Sequence, residues 1–180
     1  AIFLFLEREP MENNVSSGDS SLNLISIIFG TSCLGNFYRE LPWETKLGIA
    51  SEWFNVFPVP DIDFVGKYGA GLALERIGKA LREFDKKLGD LFISNKLGWR
   101  RVSLSGPEPT FEPGAWANLE YDAVQDIYYD GILRCYCEGL ELIDGGFGFD
   151  MVSVHDPDEY LAAGGDEQDI LDAYKALFEL

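Results

Sequence analysis

The chain alternates between short apolar runs and longer amphipathic stretches. The apolar runs predict buried strands at residues 24–29, 61–65, 91–94 and 149–154. The amphipathic stretches, whose apolar residues recur every three or four positions, predict helices at residues 42–57, 72–88, 132–143 and 169–180. Strands and helices in this order predict an α/β fold, with a parallel sheet and helices on its outer side.

Two parts of the sequence fall outside this alternation. Residues 1–23 include a polar stretch, and we expect them to be a leader ahead of a single domain at 24–180. The segment 98–119 is rich in Gly and Pro and exceeds the usual loop length. We expect this segment to be either a functional loop or a poorly ordered one. The third helix has Asp130 available as a cap.

The charge of the chain is strongly negative, since 31 acidic and 14 basic residues give a formal net charge of -17. This charge opposes binding to a phosphate backbone, so we expect no nucleic-acid partner. The apolar residues 1–6 are too few to span a bilayer, and we expect no membrane insertion. Cys33, Cys135 and Cys137 lack the spacing of a zinc site and indicate reduced thiols in the cytoplasm.

Four side chains with acid–base chemistry follow the predicted strands. Asp63 and Tyr68 come at the end of the second strand, Lys96 at the end of the third and His155 at the end of the fourth. The carboxyl ends of parallel strands meet at one rim, where functional groups collect. A phenol exchanges its proton poorly at neutral pH unless a neighbouring cation helps, and an ammonium held by a carboxylate is such a cation. The set therefore suits carbonyl reduction or its reverse, with the phenol as general acid or base.

Each of these four residues also has an ordinary structural explanation when it is taken alone. A single Tyr68 or Lys96 at a strand end is typical of rim packing. Asp63 is a common turn or cap former, and His155 before Asp-Pro can hydrogen-bond turn carbonyls. Their joint appearance at successive strand ends favours a functional site.

The four residues and their surroundings resemble the aldo-keto reductases. Asp63, Tyr68, Lys96 and His155 are similar to the catalytic tetrad of that family. Further similar segments are 29–36 (FGTSCLGN), 66–71 (GKYGAG), 74–78 (LERIG), 94–99 (SNKLGW), 129–134 (YDGILR) and 152–158 (VSVHDPD). Together they are most similar to the aldose dehydrogenase branch, which oxidises fucose-like or galactose-like sugars, and they cover about residues 25–180.

The resemblance implies a TIM-barrel type (β/α) fold and an NAD- or NADP-dependent oxidoreductase. Hydride would pass between a sugar or other carbonyl substrate and the cofactor, since no side chain donates hydride. The substrate oxygen would lie between Tyr68 and His155, and Tyr68, assisted by Lys96 and Asp63, would exchange its proton. Oxidation of a sugar would give a lactone. Trp99 is expected to line the sugar, because aromatic faces suit its C–H surface, although plain packing explains it equally well.

The chain departs from the family in length and in one local detail. A complete barrel needs about 250 residues, whereas four βα units make half of its eight strands. In the family the later strands carry most cofactor contacts, and no glycine-rich dinucleotide fingerprint replaces them here. Phe64 and Val65 stand where the family usually has small residues, and Phe64 is expected to crowd the site. Because an open half barrel exposes strand edges, we expect a missing C-terminal half or self-association.

Two other functions are compatible with the same residues. The chain would be an interaction module, or a fragment without activity of its own, if it keeps a reductase-like sequence but lacks the cofactor half. A metal-dependent hydrolase using Asp63, His155, Asp156 and Asp158 is a weaker alternative, because one His and several carboxylates without compact spacing make a poor metal site.

Overall fold

The computed structural model describes residues 4–5, 27–87, 89–144 and 146–180. Its strands are β1 (Leu4–Phe5), β2 (Ile28–Gly30), β3 (Asp61–Val65), β4 (Phe92–Leu97), β5 (Trp99–Ser103), β6 (Tyr121–Gln125) and β7 (Met151–Val154). Its helices are α1 (Trp43–Val56), α2 (Leu72–Glu83), α3 (Tyr129–Ile143), α4 (Pro157–Ala162) and α5 (Glu167–Glu179). A short 3-10 helix, Ser32–Gly35, follows β2.

The main sheet has five strands in the order β1-β7-β4-β3-β2. Strands β2, β3, β4 and β7 are parallel neighbours, as the sequence pattern predicts. This is the arrangement of a partial (β/α) barrel, and among the described residues the barrel is not closed. On its outer edge, β7 pairs antiparallel with β1, which lies inside the predicted leader 1–23. The rest of that predicted leader falls outside the described residues.

The two faces of the sheet have different roles. Because side chains alternate along a strand, Ile62 and Phe64 share one face of β3, and Asp63 lies on the other. Ile62, Phe64 and Ile93 are fully buried in the core cluster, together with apolar side chains of the helices. Phe64 therefore packs in the hydrophobic core and does not crowd the side of the sheet that carries Asp63, so that expectation is wrong.

Several element boundaries differ from the predicted ones. The first strand is only Ile28–Gly30, and residues 24–26 lie outside the described part. Helix α2 ends at Glu83 because the chain reverses at Asp85, whose φ is 53°. Asp130 lies in the first turn of α3, and the N-cap position belongs to Tyr128. A short helix, α4, comes between the fourth predicted strand and the last predicted helix.

The predicted long loop at 98–119 contains ordered structure. Strand β5 pairs antiparallel with β6, and Trp99 is opposite Gln125 in a second, two-stranded sheet. Hydrogen bonds connect the segment between these strands to Asp122 of β6 and to Tyr38. The Asp122 carboxylate accepts hydrogen bonds from the backbone N–H and the hydroxyl of Thr110, and the Ala115 carbonyl accepts one from the Tyr38 N–H. The hairpin was missed because its two strands are far apart in sequence, so no short-range turn signal joins them.

A membrane-spanning helix has to be both long and apolar, and no helix in the described part of the chain meets both conditions.

Candidate active site

Asp63 and Lys96 form an ion pair on the open face of the sheet. The Lys96 ammonium donates a hydrogen bond to the Asp63 carboxylate, and the Ser94 hydroxyl donates another to the second oxygen of that carboxylate. Strand register explains the contact, because Asp63 on β3 is opposite Ser94 on β4 and Lys96 is two residues further along the same face. The Thr31 hydroxyl also donates to the Asp63 carbonyl at 2.8 Å. Two of the four predicted residues are thus in direct contact.

Tyr68 lies in the tight 66–71 loop that leaves β3. The loop packs against the 3-10 helix so closely that a Cβ on Gly35 would lie 2.8 Å from the Tyr68 carbonyl carbon. Gly69, with a φ of 63°, has no room for a side chain beside the Gly35 carbonyl. The Tyr68 ring is 5.9 Å from the Trp116 ring, between centroids. Glycines at these two positions therefore determine where the phenol is placed.

The electrostatic surroundings keep Tyr68 protonated. Burial raises the pKa of the Tyr68 phenol, and the negative charges of Asp63, Asp156 and Glu112 raise it further. Since the ordinary pKa of tyrosine is already about 10, the side chain is a proton donor at neutral pH.

His155 follows β7 and is 6% exposed. Its backbone N–H donates to the Leu97 carbonyl at 2.8 Å, which extends the pairing of β4 and β7. Burial lowers the pKa of His155 to about 4, the ammonium groups of Lys67 and Lys96 lower it too, and nearby carboxylates oppose the shift. The imidazole is therefore neutral at physiological pH. Its Nδ1 is 3.3 Å from an Asp156 carboxylate oxygen, without hydrogen-bonding geometry among the described residues.

The four predicted residues share one electrostatic environment. Asp63 contacts Lys96, the charge of Asp63 acts on Tyr68, and the charge of Lys96 acts on His155. A protonated phenol has one O–H donor and a neutral imidazole one N–H donor, so at the same pH both groups are able to donate a hydrogen bond to a carbonyl oxygen. The arrangement can therefore bind and protonate such an oxygen.

The sequence reasoning missed a second ion pair at this site. The Lys67 ammonium, on a residue only 7% exposed, is 2.7 Å from a Glu112 carboxylate oxygen. The other oxygen of Glu112 accepts a hydrogen bond of 2.6 Å from the Trp116 indole. Both charges act on His155, and Glu112 also acts on Tyr68. Two features of the sequence could have indicated this ion pair. Lys67 is next to Tyr68, and the segment that carries Glu112 is unusually long.

Aromatic side chains from that segment form a wall beside Tyr68. Trp99 lies in this wall, 6.1 Å from the Phe111 ring and 4.6 Å from the Lys67 ammonium, measured to the indole centroid. Phe111 in turn stacks on Trp116 with a centroid distance of 5.9 Å. Trp99 is therefore placed among side chains that surround the candidate site.

No dinucleotide-phosphate cradle is visible in the described residues. The 66–71 loop is rich in glycine, but its glycines face other parts of this chain: Gly69 lies against Gly35, Gly66 against the Trp99 carbonyl, and Gly71 against Leu142 and Arg101. No group of three or more His, Cys, Asp or Glu in the described part could hold a metal ion.

The parallel strands β2, β3, β4 and β7 and the helices between them have the arrangement of a partial (β/α) barrel. The sequence profile of the Aldo/keto reductase family matches residues 26–180. The chain belongs to this family. No curated protein matches it.

The fold is similar to solved structures of the same family. An aldo-keto reductase from Bacillus halodurans, in its holo form, is 16% identical with a TM-score of 0.53, covering 88% of this chain and 43% of that one. A glycerol dehydrogenase from Gluconobacter oxydans is 18% identical with a TM-score of 0.45, covering 68% and 35%. A thermostable aldo-keto reductase in complex with the inhibitor epalrestat is 18% identical with a TM-score of 0.48, covering 83% and 53%. The chain thus spans between 35% and 53% of these relatives.

Proposed function

We propose that this chain carries the proton-transfer half of an NAD- or NADP-dependent oxidoreductase that interconverts a carbonyl group and an alcohol. The observation that carries the proposal is the Asp63–Lys96 ion pair beside a protonated Tyr68 and a neutral His155. Family membership supports it.

In the reductive direction, Tyr68 is the general acid. The neutral imidazole of His155 donates a hydrogen bond to the carbonyl oxygen, which makes the carbon a better hydride acceptor. As hydride reaches that carbon, the Tyr68 phenol gives its proton to the oxygen, and the alcohol is formed. The positive charge of Lys96, oriented by Asp63, stabilises the phenolate that remains. In the oxidative direction the same groups act in reverse, with Tyr68 as the base.

A nicotinamide cofactor supplies or accepts the hydride in this chemistry. The described residues account for the acid–base groups and not for the phosphates of such a cofactor. No step is therefore assigned to cofactor binding within this chain.

The substrate we favour is an aldose, oxidised at its anomeric carbon to a lactone. The aromatic wall beside Tyr68 supports this choice, because indole and phenyl faces pack well against the C–H surfaces of a sugar ring. Trp99 is the proposed sugar contact. The rates of reaction with neutral sugars and with simple aldehydes test this assignment. A sugar preference that is lost in Trp99→Ala and kept in Trp99→Phe supports the assignment, and equal rates on both classes contradict it.

The test of the proposed activity is substitution of Tyr68 by Phe. Loss of the phenol proton should lower turnover by a factor on the order of 10² to 10⁴, measured by the absorbance of the reduced nicotinamide. Tyr38→Phe is the matched control, because Tyr38 is 73% exposed and should retain full activity. Equal activity of the two variants would refute the role of Tyr68.

The second candidate function is an interaction module without catalytic activity. The sheet, which is not closed into a barrel among the described residues, supports it. Cofactor binding by the chain, followed by fluorescence quenching, separates the two. A stable dimer that binds no cofactor at high micromolar concentration, and that Tyr68→Phe leaves intact, would favour the module.

A further inference from the structure

A cavity of about 270 Å³ lies beside the 66–71 loop and outside the candidate active site. Its lining includes Gly69 and the first turns of α1 and α2, but none of the four acid–base residues or Trp99. The proposed reaction makes no use of the side chains that line this cavity.

A buried ammonium faces the cavity without a counter-ion. Lys46 is 4% exposed, and its Nζ donates one hydrogen bond of 2.6 Å, to the amide oxygen of Asn36. Among the described residues no carboxylate is within ion-pairing distance of this ammonium. An ammonium has three donors, and buried charges are normally paired. Two of its donors and its charge are therefore free to meet a ligand in the cavity.

A second cation lines the same cavity. Arg76, on α2, is half-buried and has no ion pair or hydrogen bond among the described side chains. It is close enough to Lys46 for the two positive charges to repel each other. Such a pair is unusual in a chain with a net charge of -17. An anion between them would relieve the repulsion.

The carboxylates that line the cavity form no ion pair with these two cations among the described residues, and of these carboxylates it is Glu40 whose charge acts on Lys46. Glu75 is 2.6 Å from the guanidinium of Arg101, and exposed Glu40 accepts a hydrogen bond of 2.9 Å from the Asn118 amide. Glu120 is exposed as well. Pro42 and Leu72, at the N-terminal ends of α1 and α2, also line the cavity, and neither helix has a side-chain cap.

We propose that this cavity binds a small oxyanion, a carboxylate or phosphate group, between Lys46 and Arg76. Charge-assisted hydrogen bonds from an ammonium and a guanidinium suit both groups. The volume of about 270 Å³ accommodates a small metabolite that carries such a group. This site is independent of the proton transfer at Tyr68, and its test is a binding measurement.

The test is calorimetric titration of the chain with inorganic phosphate and, in a second arm, with acetate. Saturable binding of one equivalent supports the proposal, and the tighter of the two ions identifies the ligand class. Arg76→Gln should weaken binding at least about tenfold, and Lys46→Met should weaken it further. Lys87→Gln is the control, because Lys87 is an exposed cation outside the cavity and should leave the affinity unchanged.

The pH dependence provides a second readout. Burial lowers the pKa of Lys46 to about 8, with Arg76 lowering it too and Glu40 and Cys33 opposing. Because the anion binds the protonated form, affinity should fall about tenfold per pH unit above 8 and should not in Lys46→Met. No binding of either ion at about 10 mM, or an equal loss in Lys87→Gln, would overturn the proposal.

Discussion

Acid should destabilise this protein through a single buried imidazole. His155 has a pKa of about 4 in the folded chain, against 6.5 for an ordinary histidine. Between these two values the unfolded chain binds a proton that the folded chain does not, so the contribution of His155 to stability falls as the pH is lowered below about 6.5 and levels off below about 4. At 1.36 kcal/mol per pH unit the loss is on the order of 3 kcal/mol. That is a large part of a typical folding free energy of about 5–15 kcal/mol.

Two measurements check this prediction. The chain contains one histidine, so the ring C–H resonance in the NMR spectrum reports its pKa without assignment work. Urea unfolding between pH 4 and pH 7.5 then gives the free energy of unfolding. The His155→Asn variant has no imidazole to titrate but keeps the other acid-sensitive groups. The difference between the pH-dependent unfolding free energies of the wild type and this variant is therefore the contribution of the imidazole. The wild type should lose about 3 kcal/mol more than the variant.

Removing the charges around His155 should move its titration midpoint, the pH at which half of the imidazole is protonated, in opposite directions. Lys67→Met removes a charge that lowers the pKa of His155 and should raise the midpoint. Asp156→Asn removes a charge that raises the pKa and should lower the midpoint further. A midpoint above 6 in the folded protein, or parallel stability curves for the wild type and His155→Asn, would refute the burial argument.

Three further outcomes follow from burial and backbone geometry. Phe64→Ala, at a fully buried site, should lower the free energy of unfolding by about 3–5 kcal/mol, whereas Phe178→Ala, at a site 66% exposed, should change it by less than about 0.5 kcal/mol in the same urea titration. Gly69→Ala should be strongly destabilising, because the φ is positive and the Cβ has no room, whereas Gly48→Ala, inside α1 with no neighbour within 4 Å, should stabilise by about 0.5–1 kcal/mol. Carbonyl reduction should keep its rate until the pH approaches the raised pKa of Tyr68, and a decline already near neutral pH would argue against the phenol as the acid.

Much of the fold was predictable because it depends on local pattern. The periods of apolar residues correctly predicted β3 and α1 and the parallel pairing of β2, β3, β4 and β7. Periodicity alone could not detect β5 and β6, because each depends on a partner that is distant in sequence. The end of α2 at Glu83 was missed because the reversal at Asp85 is a backbone conformation that the amphipathic pattern does not record.

The candidate site likewise contains one contact that could be predicted from the sequence and one that could not. Asp63 and Lys96 could be predicted together, since the carboxyl ends of parallel strands meet at one rim and strand alternation puts the two side chains on one face. Lys67 and Glu112 could not be paired from sequence, because Glu112 reaches the site only after the segment between β5 and β6 folds back over it. The catalytic roles of Asp63, Tyr68, Lys96 and His155, and the substrate contact of Trp99, stay predictions.

The sequence by itself determined the family, the strand and helix order and the residue types available at the strand ends, because these follow from short-range patterns and from the matched segment 26–180. Only the tertiary structure decided the charge states. Burial and the charges of Lys67 and Lys96 lower the pKa of His155 and make it neutral. Burial and the charges of Asp63, Asp156 and Glu112 raise the pKa of Tyr68 and keep it protonated. Both shifts arise from desolvation and from Coulomb interactions between groups distant in sequence, and such interactions exist only once the chain has folded.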